Sequence, residues 1–162
     1  MNARTAPASA QDFSDRDHDR AALVASARKV IRIESGAIAD LEPRIDGDFS
    51  KACRLILASS GRVVVSGMGK SGHIARKIAA TLASTGTPSF YVHPGEASHG
   101  DIGMITRHDV VLLISYSGET DEVLTILPFL KRQGNAPIAM TGNPRWCWRS
   151  VPGPAGRPRC RR

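Results

Sequence analysis

A chain of 162 residues, 41% apolar and 23% charged, suits one domain with its own core. No apolar run approaches the roughly 18 residues of a membrane span, and no apolar leader opens the sequence, so neither a membrane protein nor a secreted one is expected. The net charge of +7 invites a nucleic-acid partner, but residues 145–162 carry six arginines and no acidic residue, which leaves residues 1–144 with a net charge of one. Cys53, Cys147 and Cys160 match no zinc spacing and fit a reducing cytoplasm.

Residues 1–20 are polar and read as a mobile arm. Leu23, Ala27, Val30, Ile31, Ile38 and Leu41 then recur at helical spacing, and Pro43 ends that helix. Asp46 or Asp48 is positioned to cap a second helix carrying Phe49, Ala52, Cys53, Ile56 and Leu57. Both helices are expected to cover a sheet or to pair with another subunit. Val63–Val65 is a β-branched strand, followed by a helix over 71–85, a strand Ser89–Val92 and a continuous apolar strand over 109–115. A helix over 119–132, with Pro128 inside it, and a strand over 137–141 complete the pattern. Alternating strands and helices predict an α/β fold, a doubly wound parallel sheet with right-handed crossovers. Ligands of such sheets sit at the carboxyl ends of the strands, here 66–72, 93–101 and 115–120. Residues 145–162 break the pattern with three prolines and no periodicity, and read as the product of a shifted reading frame.

Ser66-Gly67-Met68-Gly69-Lys70-Ser71-Gly72 joins the first strand to its helix. Gly67, Gly69 and Gly72 satisfy G-x-G-x-x-G, but the next strand ends in His93, not the acidic residue a dinucleotide needs. Gly69-Lys70-Ser71 resembles the end of a P-loop, but Val64 stands where its first glycine belongs. The general property survives: glycines let the backbone approach an anion, and the following helix N-terminus favours negative charge. Ser115-Tyr116-Ser117-Gly118-Glu119-Thr120 is a second candidate, with three hydroxyls at a strand-to-helix turn. By itself it is equally an ordinary turn capped by Ser117.

Ser115–Thr120 resembles the phosphate loop of the sugar isomerase (SIS) family, S-x-S-G-x-[ST]. Gly67–Ile74, Thr85–Phe90, His93–Met104 and Thr141–Pro144, taken in order, are similar to the SIS domain of arabinose 5-phosphate isomerases over residues 21–144. The resemblance implies interconversion of ribulose 5-phosphate and arabinose 5-phosphate, a step toward the Kdo sugar of lipopolysaccharide, in a cytoplasmic homo-oligomer, a tetramer in the family. It implies Lys70 and Glu122 as catalytic, and Gly69, Ser71, Gly86, Thr87, His93, His99, Ser115, Ser117, Thr120 and Thr125 as substrate-binding, with 125–134 reaching a neighbouring subunit's site. Aldose–ketose isomerisation moves a proton between C1 and C2 through an enediol, which suits a carboxylate such as Glu122 and a cation such as Lys70. Without the resemblance, Lys70 is a solvated lysine, Glu122 an exposed helix residue, and His93 and His99 surface histidines. Glu119 fits as a structural carboxylate at a helix start, and Asp101 as a residue that orients its loop. No cofactor is required. Zinc at His93 would be inhibitory, since one histidine is an incomplete metal site. No nucleic acid or membrane partner is expected.

The family places another catalytic glutamate, a catalytic histidine and paired CBS domains in sequence that these residues do not match, so weak or absent turnover is expected. Two alternatives stand beside this reading. One is a non-catalytic sugar-phosphate-binding SIS module, which in regulators follows a helix-turn-helix. The other is a phosphoheptose isomerase, against which the H-P-x-E-A-x-H-G-D segment from His93 to Asp101 argues.

Overall fold

The computed structural model of the chain describes residues 10–143, which fall in two compact units divided between Phe49 and Ser50. In the first, α1 (Ala10–Ala39) leads into a 3₁₀ turn, Glu42–Arg44. α1 starts well before the helix the apolar spacing marks, so residues 10–20 are helical. Ala10, Gln11, Arg16 and Arg20 all favour helix, a preference that a search for an apolar stripe does not register. Leu23, Ile31 and Ile38 of α1 are exposed. α2 (Gly47–Ala58) follows, and the Asp46 carboxylate accepts the Asp48 and Phe49 N–H groups at 2.9 and 3.4 Å, the cap its position suggests.

The second unit is built on a four-stranded parallel sheet of β1 (Val63–Gly67), β2 (Ser89–Val92), β3 (Val110–Ile114) and β4 (Ala136–Met140). The spatial order is β2-β1-β3-β4, and every neighbouring pair is parallel. The doubly wound sheet expected from the sequence is therefore present. Side-chain alternation in β1 sorts the two faces. Val63 and Val65 pack with Leu112, Ile114, Ala75 and Ala79, under α3 (Gly69–Ser84). Val64 turns the other way with Val111 and Leu113, under Val123, Ile126, Leu127 and Leu130 of α5 (Asp121–Gln133). α5 runs through Pro128 and ends at Gly134, whose φ of +80° suits glycine.

The segment after β2 is more ordered than its glycines suggest. Pro94–Ala97 forms one helical turn, α4, and Asp101–Met104 a 3₁₀ turn. Ala97 and Ile105 from this region are fully buried in the α5-side core, so packing supplies the order that propensity does not. The proposed frame-shifted tail, 145–162, lies outside the described residues, as do residues 1–9. Among the described residues no helix is long and apolar enough to cross a membrane.

Candidate functional site

The chain leaves β1 to form β2 on one side, then passes back to form β3 on the other. That reversal opens a crevice at the carboxyl ends of β1 and β3. Gly67 pairs with Ile114 across the two strands, so the glycine-rich turn and the hydroxyl-rich turn leave the sheet side by side.

Three glycines shape the first turn, in two different ways. A side chain on Gly67 would stand 2.9 Å from the Ile114 carbonyl oxygen of β3, and one on Gly72 would stand 2.7 Å from the Gly67 carbonyl oxygen. Both are close approaches between backbones. Gly69 has open space around it but adopts φ +52°, which turns strand into helix. α3 therefore begins at Gly69, earlier than apolar periodicity marks. Lys70 and Ser71 sit in its first turn, Lys70 exposed and Ser71 half-buried.

In the second turn the Ser115 side chain is buried. Its hydroxyl accepts the Gly118 N–H at 3.0 Å and lies 2.8 Å from the Thr120 hydroxyl. Ser117 is exposed and accepts the Glu119 N–H at 3.1 Å. Thr120 keeps an extended conformation, which delays α5 to Asp121. Glu122 is in the first turn of α5, exposed, and Thr125 follows with its hydroxyl donated to the Asp121 carbonyl at 2.8 Å. Neither α3 nor α5 carries a side-chain cap, in contrast to α2. Their first N–H groups have no partner inside the helix.

β4 supports this second turn from beyond. The Gly142 N–H and Thr141 hydroxyl both donate to the Tyr116 carbonyl, at 3.1 and 3.3 Å, and the Asn143 amide donates to the Ser117 carbonyl at 3.0 Å. These braces went unremarked in the sequence, where Thr141-Gly142-Asn143 had no assigned work beyond its family match.

His93 caps β2 at the same end of the sheet. Its ring packs 3.2 Å from the position a Gly95 side chain would take, and its Nδ1 is buried without a hydrogen-bond partner. His99 is exposed. Among the described residues no three His, Cys, Asp or Glu side chains cluster as a metal site would need.

Tyr91, two residues before His93, is a participant the sequence reading missed. Its hydroxyl donates to the Gly67 carbonyl at 2.8 Å, and the Arg76 guanidinium lies 4.1 Å above its ring centre. Burial pushes its phenol above the ordinary value of 10.0 against the pull of Arg76, with Glu96 adding to the rise, so the hydroxyl remains a donor.

Gly86 and Thr87 are not brought to this crevice. α3 runs back along the sheet, so its exit turn lies at the amino ends of the strands, where Val63 donates to the Pro88 carbonyl at 2.8 Å. Most of the 125–134 segment likewise follows α5 away from the crevice.

A doubly wound parallel sheet with a glycine turn and a hydroxyl turn at its switch point makes this an α/β domain of the three-layer kind. More specifically, residues 56–145 match the SIS domain model, and the chain belongs to the SIS family. It is similar to arabinose 5-phosphate isomerase KdsD of Pseudomonas aeruginosa, 63% identical over 122 residues, 75% of this chain and 37% of that one. Arabinose 5-phosphate isomerase KpsF of Escherichia coli O6:H1 is 53% identical over the same shares. An Escherichia coli CFT073 protein solved in complex with arabinose 5-phosphate superposes with a TM-score of 0.71 at 46% identity, over 75% of this chain and 64% of that one. The chain thus spans little more than a third of the length of the curated relatives it matches.

Proposed function

We infer that this domain binds a five-carbon sugar phosphate and serves a ribulose 5-phosphate/arabinose 5-phosphate isomerase of the lipopolysaccharide precursor route. The observation that supports the reading is the Gly67–Ile114 pairing, from which the turns that carry Ser71 and Ser117 and the starts of α3 and α5, both without side-chain caps, leave the sheet side by side. Backbone N–H groups with positive dipole ends and small hydroxyls suit a phosphate dianion. The names of the similar proteins supply the pentose.

In the isomerisation a proton leaves C2 of the open-chain aldose, an enediolate forms, the O2 proton passes to O1, and the carried proton is returned to C1 to give the ketose. Glu122, exposed at the start of α5, is the proposed proton carrier, and Lys70, exposed at the start of α3, the cation that offsets the enediolate charge. The exposed Leu23, Ile31 and Ile38 of α1 support assembly into a homo-oligomer, and a cytoplasmic location goes with the proposed precursor route.

Thermal-shift titration of the chain with arabinose 5-phosphate, ribulose 5-phosphate, unphosphorylated arabinose, sedoheptulose 7-phosphate and ATP tests the proposal. The pentose phosphates are expected to raise the melting temperature most, and unphosphorylated arabinose not at all. Stabilisation by ATP or the heptose phosphate alone overturns it.

A further inference from the structure

The geometry points to Tyr91 as a positioning residue for the glycine-rich turn, one that fixes the Gly67 carbonyl and through it the aim of the first N–H groups of α3. This rests on the sugar-phosphate reading above and adds to it a residue outside both loops.

Gly67 is the last residue of β1, and its carbonyl is held from two sides. The Tyr91 hydroxyl donates to it at 2.8 Å, and the backbone of Gly72 approaches so closely that a side chain there would meet the same oxygen at 2.7 Å. The Tyr91 hydroxyl itself lies 3.1 Å from that side-chain position. Tyr91, Gly67 and Gly72 therefore form one small cluster that joins β2, β1 and the first turn of α3. Gly72 also makes the first backbone hydrogen bond of α3, to the Met68 carbonyl at 3.0 Å. If the Gly67 carbonyl were free to rotate, the peptide that starts the turn would rotate with it, and the donors of residues 69–71 would lose their common direction.

The ring is fixed as well. It packs with Val63, Val65 and Ala75 on the α3 side of the sheet, Arg76 covers one face, and the His93 ring meets it edge-on at a centroid distance of 6.4 Å and 73°. Phenylalanine would fill the same space and lose only the tie to Gly67.

A buried tyrosine that merely satisfies its own hydroxyl would look similar, and the molecule contains the control that separates the two. Ser89 lies two residues earlier on the same face of β2. Its hydroxyl donates to the Val63 carbonyl at 2.6 Å, the same kind of β2-to-β1 bond at the opposite end of the sheet. Tyr91→Phe and Ser89→Ala each remove one hydroxyl-to-carbonyl bond, and only the first touches the turn.

The experiment compares the full chain with these two variants by arabinose 5-phosphate titration and by amide hydrogen exchange. Tyr91→Phe is expected to weaken binding roughly fivefold and to speed exchange at Gly72 by a similar factor, the scale of one lost hydrogen bond. Ser89→Ala is expected to leave both unchanged while lowering the melting temperature by a comparable amount. Binding by Tyr91→Phe equal to that of the unaltered chain overturns the assignment. If the unaltered chain binds no arabinose 5-phosphate, the functional reading fails and the exchange measurement decides this one. Faster exchange at Gly72 in Tyr91→Phe alone sustains it, and equal exchange in all three proteins ends it.

Discussion

The two ends of the parallel sheet are built on opposite terms. At the amino end, the Asp109 carboxylate, 2% exposed, accepts from the Arg62 N–H at 2.7 Å, the Arg62 guanidinium at 3.1 Å, and the Thr106 N–H and hydroxyl at 2.7 and 3.1 Å. The Asn135 amide donates to the Thr106 and Asp109 carbonyls, and Gln133 to that of Ile105. At the carboxyl end, Lys70, Ser117 and Glu122 are exposed and two helices begin without side-chain caps. The amino end uses a buried carboxylate and two amides to hold β1, β3 and α5 together, whereas the carboxyl end has internal braces and, beside them, exposed polar side chains at the starts of α3 and α5. Stability and binding should therefore separate by end.

The sharpest break is expected from Glu122→Gln. Loss of the proposed proton carrier should lower the chain's residual isomerase turnover by about a hundredfold or more, with arabinose 5-phosphate affinity within about twofold of the original. Single-turnover assays beside calorimetric titration measure both. The converse is Asp109→Ala, which strips a buried carboxylate from all its donors. Unfolding in urea should show a loss of about 3 kcal/mol, moderated because the Arg62 side chain is 42% exposed, with ligand affinity unchanged for the protein still folded. Gly72→Ala tests the opposite end, where the added methyl must displace the Gly67 carbonyl. A cost of about 2 kcal/mol is expected together with weakened binding, the combination no amino-end variant should give.

The smallest effect lies in the pH dependence. Burial alone would raise the Asp109 carboxyl, but the Arg62 and Thr106 donors outweigh it and hold it below its ordinary 3.8. A group lowered on folding stabilises the native state above its unfolded value, and that contribution fades as pH falls through the folded value. The chain should thus lose stability more steeply below pH about 4 than Asp109→Asn does, as read from urea midpoints across an acid series.

The carboxyl end was largely legible because turn chemistry is local. Glycines at 67, 69 and 72 and hydroxyls at 115, 117 and 120 each lie within one short stretch, and the rule for parallel sheets places the two stretches together. The amino end was not. Asp109 reads as the first residue of a strand, and its partner Arg62 is too distant in sequence for any spacing to pair them. Tyr91 was hidden by its setting, since in a four-residue apolar strand it counts as one more bulky side chain and its hydroxyl leaves no periodic trace. α4 was invisible because buried Ala97 and Ile105, not helix propensity, hold it in place. The position of Gly86 and Thr87 follows from chain direction: a helix that leaves the carboxyl end of one strand must return the chain to the amino end of the next.

β2 offers a last consequence. It has only four residues and lies outermost in the described sheet, the situation in which strands commonly fray. Yet it is pinned to β1 by Ser89 at its start, and at its finish by Tyr91 and by Ser66, whose hydroxyl donates to the Val92 carbonyl at 2.7 Å. The Arg62 guanidinium also covers the Phe90 ring at 4.5 Å. Peeling from either tip meets a fastening before it meets the backbone ladder. Under mechanical load this short ribbon should hold its place and then come away in a single rupture.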